Sequence, residues 1–310
     1  MDPIAFKIGG FAIYWYGILV AGGFMAGLWT ASRRCVLDKL DGKAISDLGV
    51  WIIIAGMLGA RAMHVVTYWD ALYAGKPLWQ VLDFRGGGLV FYGGFIGAAL
   101  AVILYTRFHG KQPLWKIADA FAPSIPLGHA LGRLGCLMYG CCFGAACDLP
   151  WAVQFPAYSP AYDALGQAPG DAAHSVHVHP TQIYSVLLNA ALYGGLVWLY
   201  RRKRFDGQVF AVYLVGYSLN RFVVEFFRGD YPAEQLWLGW MKPGQLLSLF
   251  LVVVGSILVG IATPTESASL GTIGAVLAAA CYRSLKWKDL WKAITETGKL
   301  TVMIYFIIAA

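Results

Sequence analysis

Charge is scarce in this chain: of 310 residues only 13% are charged while 58% are hydrophobic, too little polar surface to cover a water-soluble globule of this size. The apolar runs are continuous and lack the alternation of a barrel strand. Several approach the roughly 20 residues that a helix needs to cross a bilayer core. A basic stripe for nucleic acid is also missing. The net charge of +7, from 24 basic against 17 acidic residues, gathers in short loops instead, so anionic lipid headgroups and not nucleic acid are the expected partners. Six cysteines in so long a chain are too few for a disulfide scaffold, and no Cys-x-x-Cys-His haem attachment is present. The first apolar run has no basic n-region and carries Trp15 and Tyr16, so it is expected to stay as a span and not to be cleaved as a signal peptide.

What is present predicts an all-α polytopic membrane helix bundle of about seven spans, near 11–31, 47–67, 88–106, 117–138, 181–200, 208–227 and 243–262. Basic residues follow the first, third and fifth spans: Arg33, Arg34, Lys39 and Lys43; Arg107, Lys111 and Lys116; and Arg201 to Arg204. The positive-inside rule makes that side cytoplasmic. The loop near 139–180, with Asp148, Asp163 and Asp171 and no Lys or Arg, then faces outward. Residues 263–310 break the pattern: an apolar run near 268–281 is followed by Arg283, Lys286, Lys288, Lys292 and Lys299 on what should be the outer side. The chain stops inside the apolar run Met303 to Ala310, so this tail reads as a fragment.

An arginine at membrane depth costs from about 2.5 to more than 10 kcal/mol, so Arg61, Arg85, Arg133, Arg221 and Arg228 are functional candidates. Arg221, Glu225 and Arg228 fall at i, i+4 and i+7 and share one helix face, so Glu225 is placed to hold one arginine while the other meets a ligand. The topology puts Arg133 and this triad near the outward ends of their spans, an arrangement expected to converge on one polar site where guanidinium forks bind a phosphate. The bland alternative is a structural Arg221–Glu225 pair with Arg228 snorkelling to the interface. Glycines crowd these arginines, and ordinary helix packing explains most of them.

The runs Ala118-Asp119 to Pro123, His129-Ala-Leu-Gly132-Arg133-Leu-Gly135, His179-Pro180-Thr181-Gln182, Arg221-Phe-Val-Val-Glu225-Phe-Phe-Arg228 and Gly244-Gln245-Leu-Leu-Ser248 resemble, in order and spacing, the prolipoprotein diacylglyceryl transferase family. Trp15-Tyr16-Gly17 and Gly93-Gly94 fit its amino-terminal half, so the resemblance covers about 10–260, within a membrane domain set at 1–262. It implies a bacterial inner-membrane enzyme with its site toward the outer leaflet. Such an enzyme moves the diacylglyceryl group of phosphatidylglycerol onto the lipobox cysteine of a preprolipoprotein, releasing glycerol phosphate without cofactor or metal. By the same resemblance Arg133 and Arg221 hold the phosphate, and Glu225 and Arg228 position them. Tyr16 lines the headgroup site, and Arg61, Tyr92, Gly93, Gly94, His179 and Gln182 complete the substrate-binding set.

The sequence departs from the family pattern in two places. Tyr92 stands where many members carry a histidine before the glycine pair; His129, one turn before Arg133, is a substitute base, or else a histidine bonded for packing. Cys136 and Cys141 replace the Asn and Glu of better-known members, and with Cys142 and Cys147 they are open to packing, disulfide or metal. The spacing lacks the paired Cys-x2-Cys of most metal sites, and His174, His177 and His179 read as loop residues without a metal role. From about 260 on, Ile261-Ala-Thr-Pro264-Thr-Glu266 and Tyr282-Arg-Ser-Leu-Lys-Trp287 resemble the large membrane subunit of tripartite ATP-independent periplasmic transporters. Residues 263–310 are therefore set apart as a transporter-like piece, a fusion or an artefact. A transport component, or a redox or lipid-binding membrane protein using the cysteines, are the rival readings.

Overall fold

The computed structural model describes residues 3–9, 11–74, 76–77, 80–81, 88–110, 113–230 and 242–260, with scattered positions between 272 and 296. Arg85 and most of the tail 263–310 lie outside the described residues, as does the side chain of Tyr92. The chain forms two compact units, Met1–Tyr139 with Ser185–Tyr213, and Gly140–Tyr184 with Leu214–Ala310.

In the first unit a hairpin of β1 (Ile4–Ile8) and β2 (Phe11–Tyr14) leads into α1 (Trp15–Leu37). The predicted first span therefore starts late, because Phe11–Tyr14 is held in strand pairing. Asp41 caps α2 (Gly42–Thr67) by accepting the Lys43 N–H, and a π-helical turn follows at Trp69–Tyr73. Next come α3 (Phe91–Tyr105), α4 (Leu114–Phe121) and α5 (Ser124–Tyr139). The predicted single span 117–138 is thus two helices, with the break at Ala122 and Pro123. Proline has no N–H to give and its ring collides with the carbonyl four residues back.

Small residues set the helix contacts. A side chain on Gly23 of α1 would come 3.1 Å from the Gly128 carbonyl oxygen of α5. A Cβ on Gly93 of α3 would sit 2.2 Å from the Gly59 carbonyl oxygen of α2, which no neighbour can relieve by rotating a side chain. Gly93→Ala is expected to force α2 and α3 apart and to destabilise the protein by about 1–3 kcal/mol. Thermal unfolding in detergent reads the loss, and an unchanged midpoint would refute this packing.

The end of α1 is fastened by buried polar groups. Arg34 donates to the Ala120 carbonyl at 2.8 Å and to Ser124 Oγ at 3.0 Å. Lys203, from the basic run after the fifth predicted span, lies 2.5 Å from Asp38 and 3.5 Å from Asp119. Asp119 accepts the N–H groups of Gly207 and Phe210 at 2.9 and 3.0 Å, satisfying otherwise orphaned donors where the next long helix begins.

The second unit contains the 140–180 segment, read from sequence as a loop. It carries α6 (Pro160–Leu165), capped by Ser159, and the small antiparallel pair β3 (Gln167–Ala168) and β4 (Asp171–Ser175). At its exposed edge Asp171 accepts from His174 at 2.8 Å, which holds the carboxyl below its usual range. The long helices α7 (Thr181–Tyr200) and α8 (Gln208–Phe227) each contribute to both units, and α9 (Pro243–Val259) belongs to the second. The protein is mostly helical, and two small sheets among the described residues qualify the all-α expectation. Three described helical stretches are long and apolar enough to cross a membrane: Ile45–Thr67, Thr181–Tyr200 and Gln208–Phe227. Gly93–Phe108 and Leu247–Val259 are apolar but shorter.

Candidate active site

The sequence-predicted site residues fall into both units. In the first, α5 presents His129 and Arg133 one turn apart on one face, both half-buried. Arg133 Nε donates to His129 Nε2 at 3.0 Å. That contact fixes the plane of the guanidinium and leaves its two terminal nitrogens without a protein hydrogen bond among the described residues. It also bears on the base assigned to His129. A neutral imidazole accepts at one nitrogen and donates from the other, so an Nε2 occupied by Arg133 puts the proton on Nδ1 and leaves no lone pair for a thiol. As it stands, His129 orients Arg133.

Tyr16, at the start of α1, is 46% exposed, and its backbone lies against Gly135 of α5, where a Cβ would come 3.1 Å from the Tyr16 Cα. The Gly132-Arg133-Leu134-Gly135 motif therefore lets the α1 entry approach the turn that carries Arg133. Arg61 is buried, and its donors already have carbonyl partners: Val81 at 2.7 Å, Gln80 at 2.8 Å and Gly88 at 3.2 Å. It ties the chain ahead of α3 to α2. Gly93 and Gly94 face α2 from the other side of that junction, with the Gly94 Cβ position 3.3 Å from the Gly56 carbonyl oxygen.

In the second unit the helical spacing is realised as expected. Arg221 Nη2 stands 3.2 Å from Glu225 Oε2, and the Glu225 side chain is fully buried. Arg228 grips Asp230 with a two-point fork, its Nε at 2.8 Å from Oδ1 and Nη2 on Oδ2. Lys242, buried just ahead of α9, donates to the carbonyls of Glu225 at 2.7 Å and Arg228 at 2.6 Å. Three cations against two carboxylates leave this cluster one positive charge, suited to an anion.

Cys136 lies in α5, and from Gly140 on the cysteine-rich stretch continues in the second unit as irregular chain with isolated bridges, Gly144 to Arg228 and Ala146 to Val178. Gly144 donates to the His179 carbonyl at 3.1 Å, and Ala145 to the Phe227 carbonyl at 2.8 Å. A Cβ on Gly144 would meet the His179 oxygen at 2.5 Å and the Phe227 oxygen at 2.8 Å, so glycine is what lets the three segments interleave. Thr181 Oγ1 and Gln182 Nε2 donate to the carbonyls of Cys142 and Cys141, each at 2.7 Å. The His179-Pro-Thr-Gln motif thus holds the cysteine stretch by its backbone. The His179 ring lies 3.3 Å from the Tyr184 hydroxyl, which also accepts from Trp151 at 2.8 Å. The five described cysteines are unbridged.

Residues 3–261 match the family model for prolipoprotein diacylglyceryl transferase. The chain belongs to this family. Among curated relatives, the phosphatidylglycerol–prolipoprotein diacylglyceryl transferase of Finegoldia magna is 34% identical over 259 residues, covering 83% of this chain and 94% of the relative. The protein of the same name from Thermosynechococcus vestitus is 32% identical over 252 residues, 81% of this chain and 88% of its own length. That from Solidesulfovibrio magneticus is 35% identical over 273 residues, 86% and 97%. Two residues of this diacylglyceryl transferase family member escaped the sequence reading. Asp230 follows Arg228 beyond the end of α8, where helical periodicity no longer predicts neighbours, and Lys242 comes from across the 231–241 connection. The signals were a carboxylate two residues after a buried arginine and a lysine directly before the Pro-Gly-Gln start of α9.

Proposed function

We infer that this chain transfers the diacylglyceryl group of phosphatidylglycerol to the cysteine thiol of prolipoproteins. The observation that carries the reading is the family match over residues 3–261, together spanning nearly the full length of its relatives. In the reaction the cysteine sulfur attacks the glyceryl carbon that bears the phosphate. A carbon–sulfur bond forms and the carbon–oxygen bond breaks, its electron pair leaving on the glycerol phosphate while the thiol proton passes to a base. Cations facing the departing phosphate lower the barrier because charge gathers there in the transition state.

The geometry supports assigning that role first to Arg133, whose terminal nitrogens are available and whose plane is set by His129. Arg221, steadied by Glu225, is assigned to phosphate as well, with Arg228 and Asp230 bracing the end of α8. Tyr16 is read as lining the headgroup site. Arg61, Gly93, Gly94 and Gln182, which lie against backbone, and His179, beside the Tyr184 hydroxyl, are read as scaffold. We further place the enzyme as a seven-span protein of the bacterial inner membrane, working at the outer leaflet on the lipobox of the preprolipoprotein signal peptide.

Residues 263–310 are read as a separate transporter-like piece, so a chain truncated after 262 is expected to retain the transferase rate of the full chain. Loss of activity on that truncation would move the boundary. The activity itself is tested in membranes or detergent with radiolabelled phosphatidylglycerol and a lipobox peptide, counting label that moves to the peptide.

A further inference from the structure

Lys242 breaks two local preferences at once. It occupies the cap position of α9, where Ser, Thr, Asp and Asn are favoured, and it puts a cation at the positive end of that helix's dipole. It is also buried, with 8% of its surface exposed, although lysine almost never is unless paired. A residue that departs from local rules in this way marks a place where another demand outweighs them.

Its partners identify that demand. The ammonium donates to the carbonyls of Glu225 and Arg228, at 2.7 and 2.6 Å, in the last turn of α8 and just beyond it. The Glu225 carbonyl also accepts the Arg228 N–H at a long 3.4 Å, and a cation at this helix end complements the negative end of the α8 dipole. The same lysine's backbone N–H donates to Gln245 Oε1 at 3.2 Å, and its carbonyl accepts from the Gln245 N–H at 2.9 Å, which closes the first turn of α9. Two residues on, Gly244 presses against the arginine–glutamate pair: a Cβ there would lie 2.8 Å from Glu225 Oε1 and 3.0 Å from Arg221 Nε. Neither carboxylate oxygen of Glu225 makes a hydrogen bond among the described residues, so the placement of the pair relies on what surrounds it.

We propose that Lys242 is a positioning residue for phospholipid phosphate: by tying the end of α8 to the start of α9 it holds Arg221, Glu225 and Arg228 where the phosphate is bound. This rests on the transferase reading and extends it to a residue outside the motif matches. Burial lowers the pKa of the Lys242 ammonium from the ordinary lysine value; Glu225 and Asp230 oppose that shift, and Arg228 and Arg221 reinforce it. As pH rises through that lowered value, the cluster loses one positive charge. Arginine at the same position would keep its charge throughout.

The test compares wild type, K242M, K242R and the exposed-site control K43M, as full chains in detergent, in the transfer assay with phosphatidylglycerol and a lipobox peptide. K242M is expected to raise the KM for phosphatidylglycerol about tenfold, the worth of hydrogen bonds from a charged group, and to leave the KM for peptide unchanged. K242R is expected to recover most of the loss. In wild type the KM for phosphatidylglycerol should climb on the alkaline side, and in K242R it should stay flat. A lysine that only stabilises the fold would lower the active fraction, reducing kcat with both KM values unchanged, and that result overturns the proposal. So does a K242R as defective as K242M. Should K242M fail to fold, a flat alkaline KM in wild type overturns it as well. If wild type transfers nothing, the transferase reading fails, and phosphatidylglycerol retention by native mass spectrometry then decides: equal retention by wild type and K242M refutes the positioning role.

Discussion

Replacing Arg133 by alanine is expected to lower kcat for diacylglyceryl transfer by roughly 100- to 1000-fold, the usual effect of removing one preorganised donor from a site where charge develops. The expectation rests on a contrast among the arginines. Arg61 has carbonyl partners around its guanidinium, Arg228 is forked to Asp230, and Arg221 faces Glu225. Arg133 alone of these has a single protein hydrogen bond among the described residues, through Nε to His129, with its terminal pair of nitrogens available for a bidentate grip. Because the side chain is half-buried at one face of α5, alanine should leave the fold intact, and the thermal midpoint should stay near wild type. His129→Phe should fall between the two, since it frees the guanidinium to rotate without removing its charge. If His129→Phe were as inactive as Arg133→Ala, the histidine would be doing more than orienting its neighbour. Initial rates on the lipobox peptide at saturating phosphatidylglycerol decide both points.

The second large effect is expected at Glu225. Its carboxylate is fully buried and faces Arg221 at 3.2 Å, and removing one partner of a buried ion pair leaves the other charged and uncompensated. Glu225→Ala should therefore destabilise the protein by about 3–5 kcal/mol. Glu225→Gln, which keeps the shape, should lose less stability but still weaken phosphatidylglycerol binding, because Arg221 then loses the carboxylate it faces. Denaturant titration of the detergent-solubilised protein measures the first, and the KM for phosphatidylglycerol the second. A Glu225→Ala protein as stable as wild type would mean that the pair is solvated and contributes little.

Where local pattern alone decided the geometry, the sequence was readable. Arg221 and Glu225 at i, i+4, and His129 and Arg133 at the same spacing, meet as helical periodicity requires. The apolar runs at 47–67, 181–200 and 208–227 correspond to helices of spanning length. Errors came where a non-local or stereochemical constraint overrode hydropathy. Phe11–Tyr14 is apolar enough to extend a span, but pairs with Ile4–Ile8. Pro123 divides the predicted span 117–138 into α4 and α5. Long-range partners were the least legible: Asp230 and Lys242 reach the arginine face from beyond α8, and the role of Thr181 and Gln182 became visible only once the backbone of Cys141 and Cys142 was seen to lie against them.

Arg133 and its orienting histidine are central to the account, so the most direct measurement is transfer by Arg133→Ala beside wild type. Both are given labelled phosphatidylglycerol and a lipobox peptide, with peptide mass and released glycerol phosphate followed together. The account predicts that wild type adds one diacylglyceryl group per peptide cysteine, with one glycerol phosphate released for each, and that Arg133→Ala, folded and still embedded in lipid, does neither at a comparable rate. Equal rates for the two proteins, or label that never leaves the lipid with wild type, would contradict it.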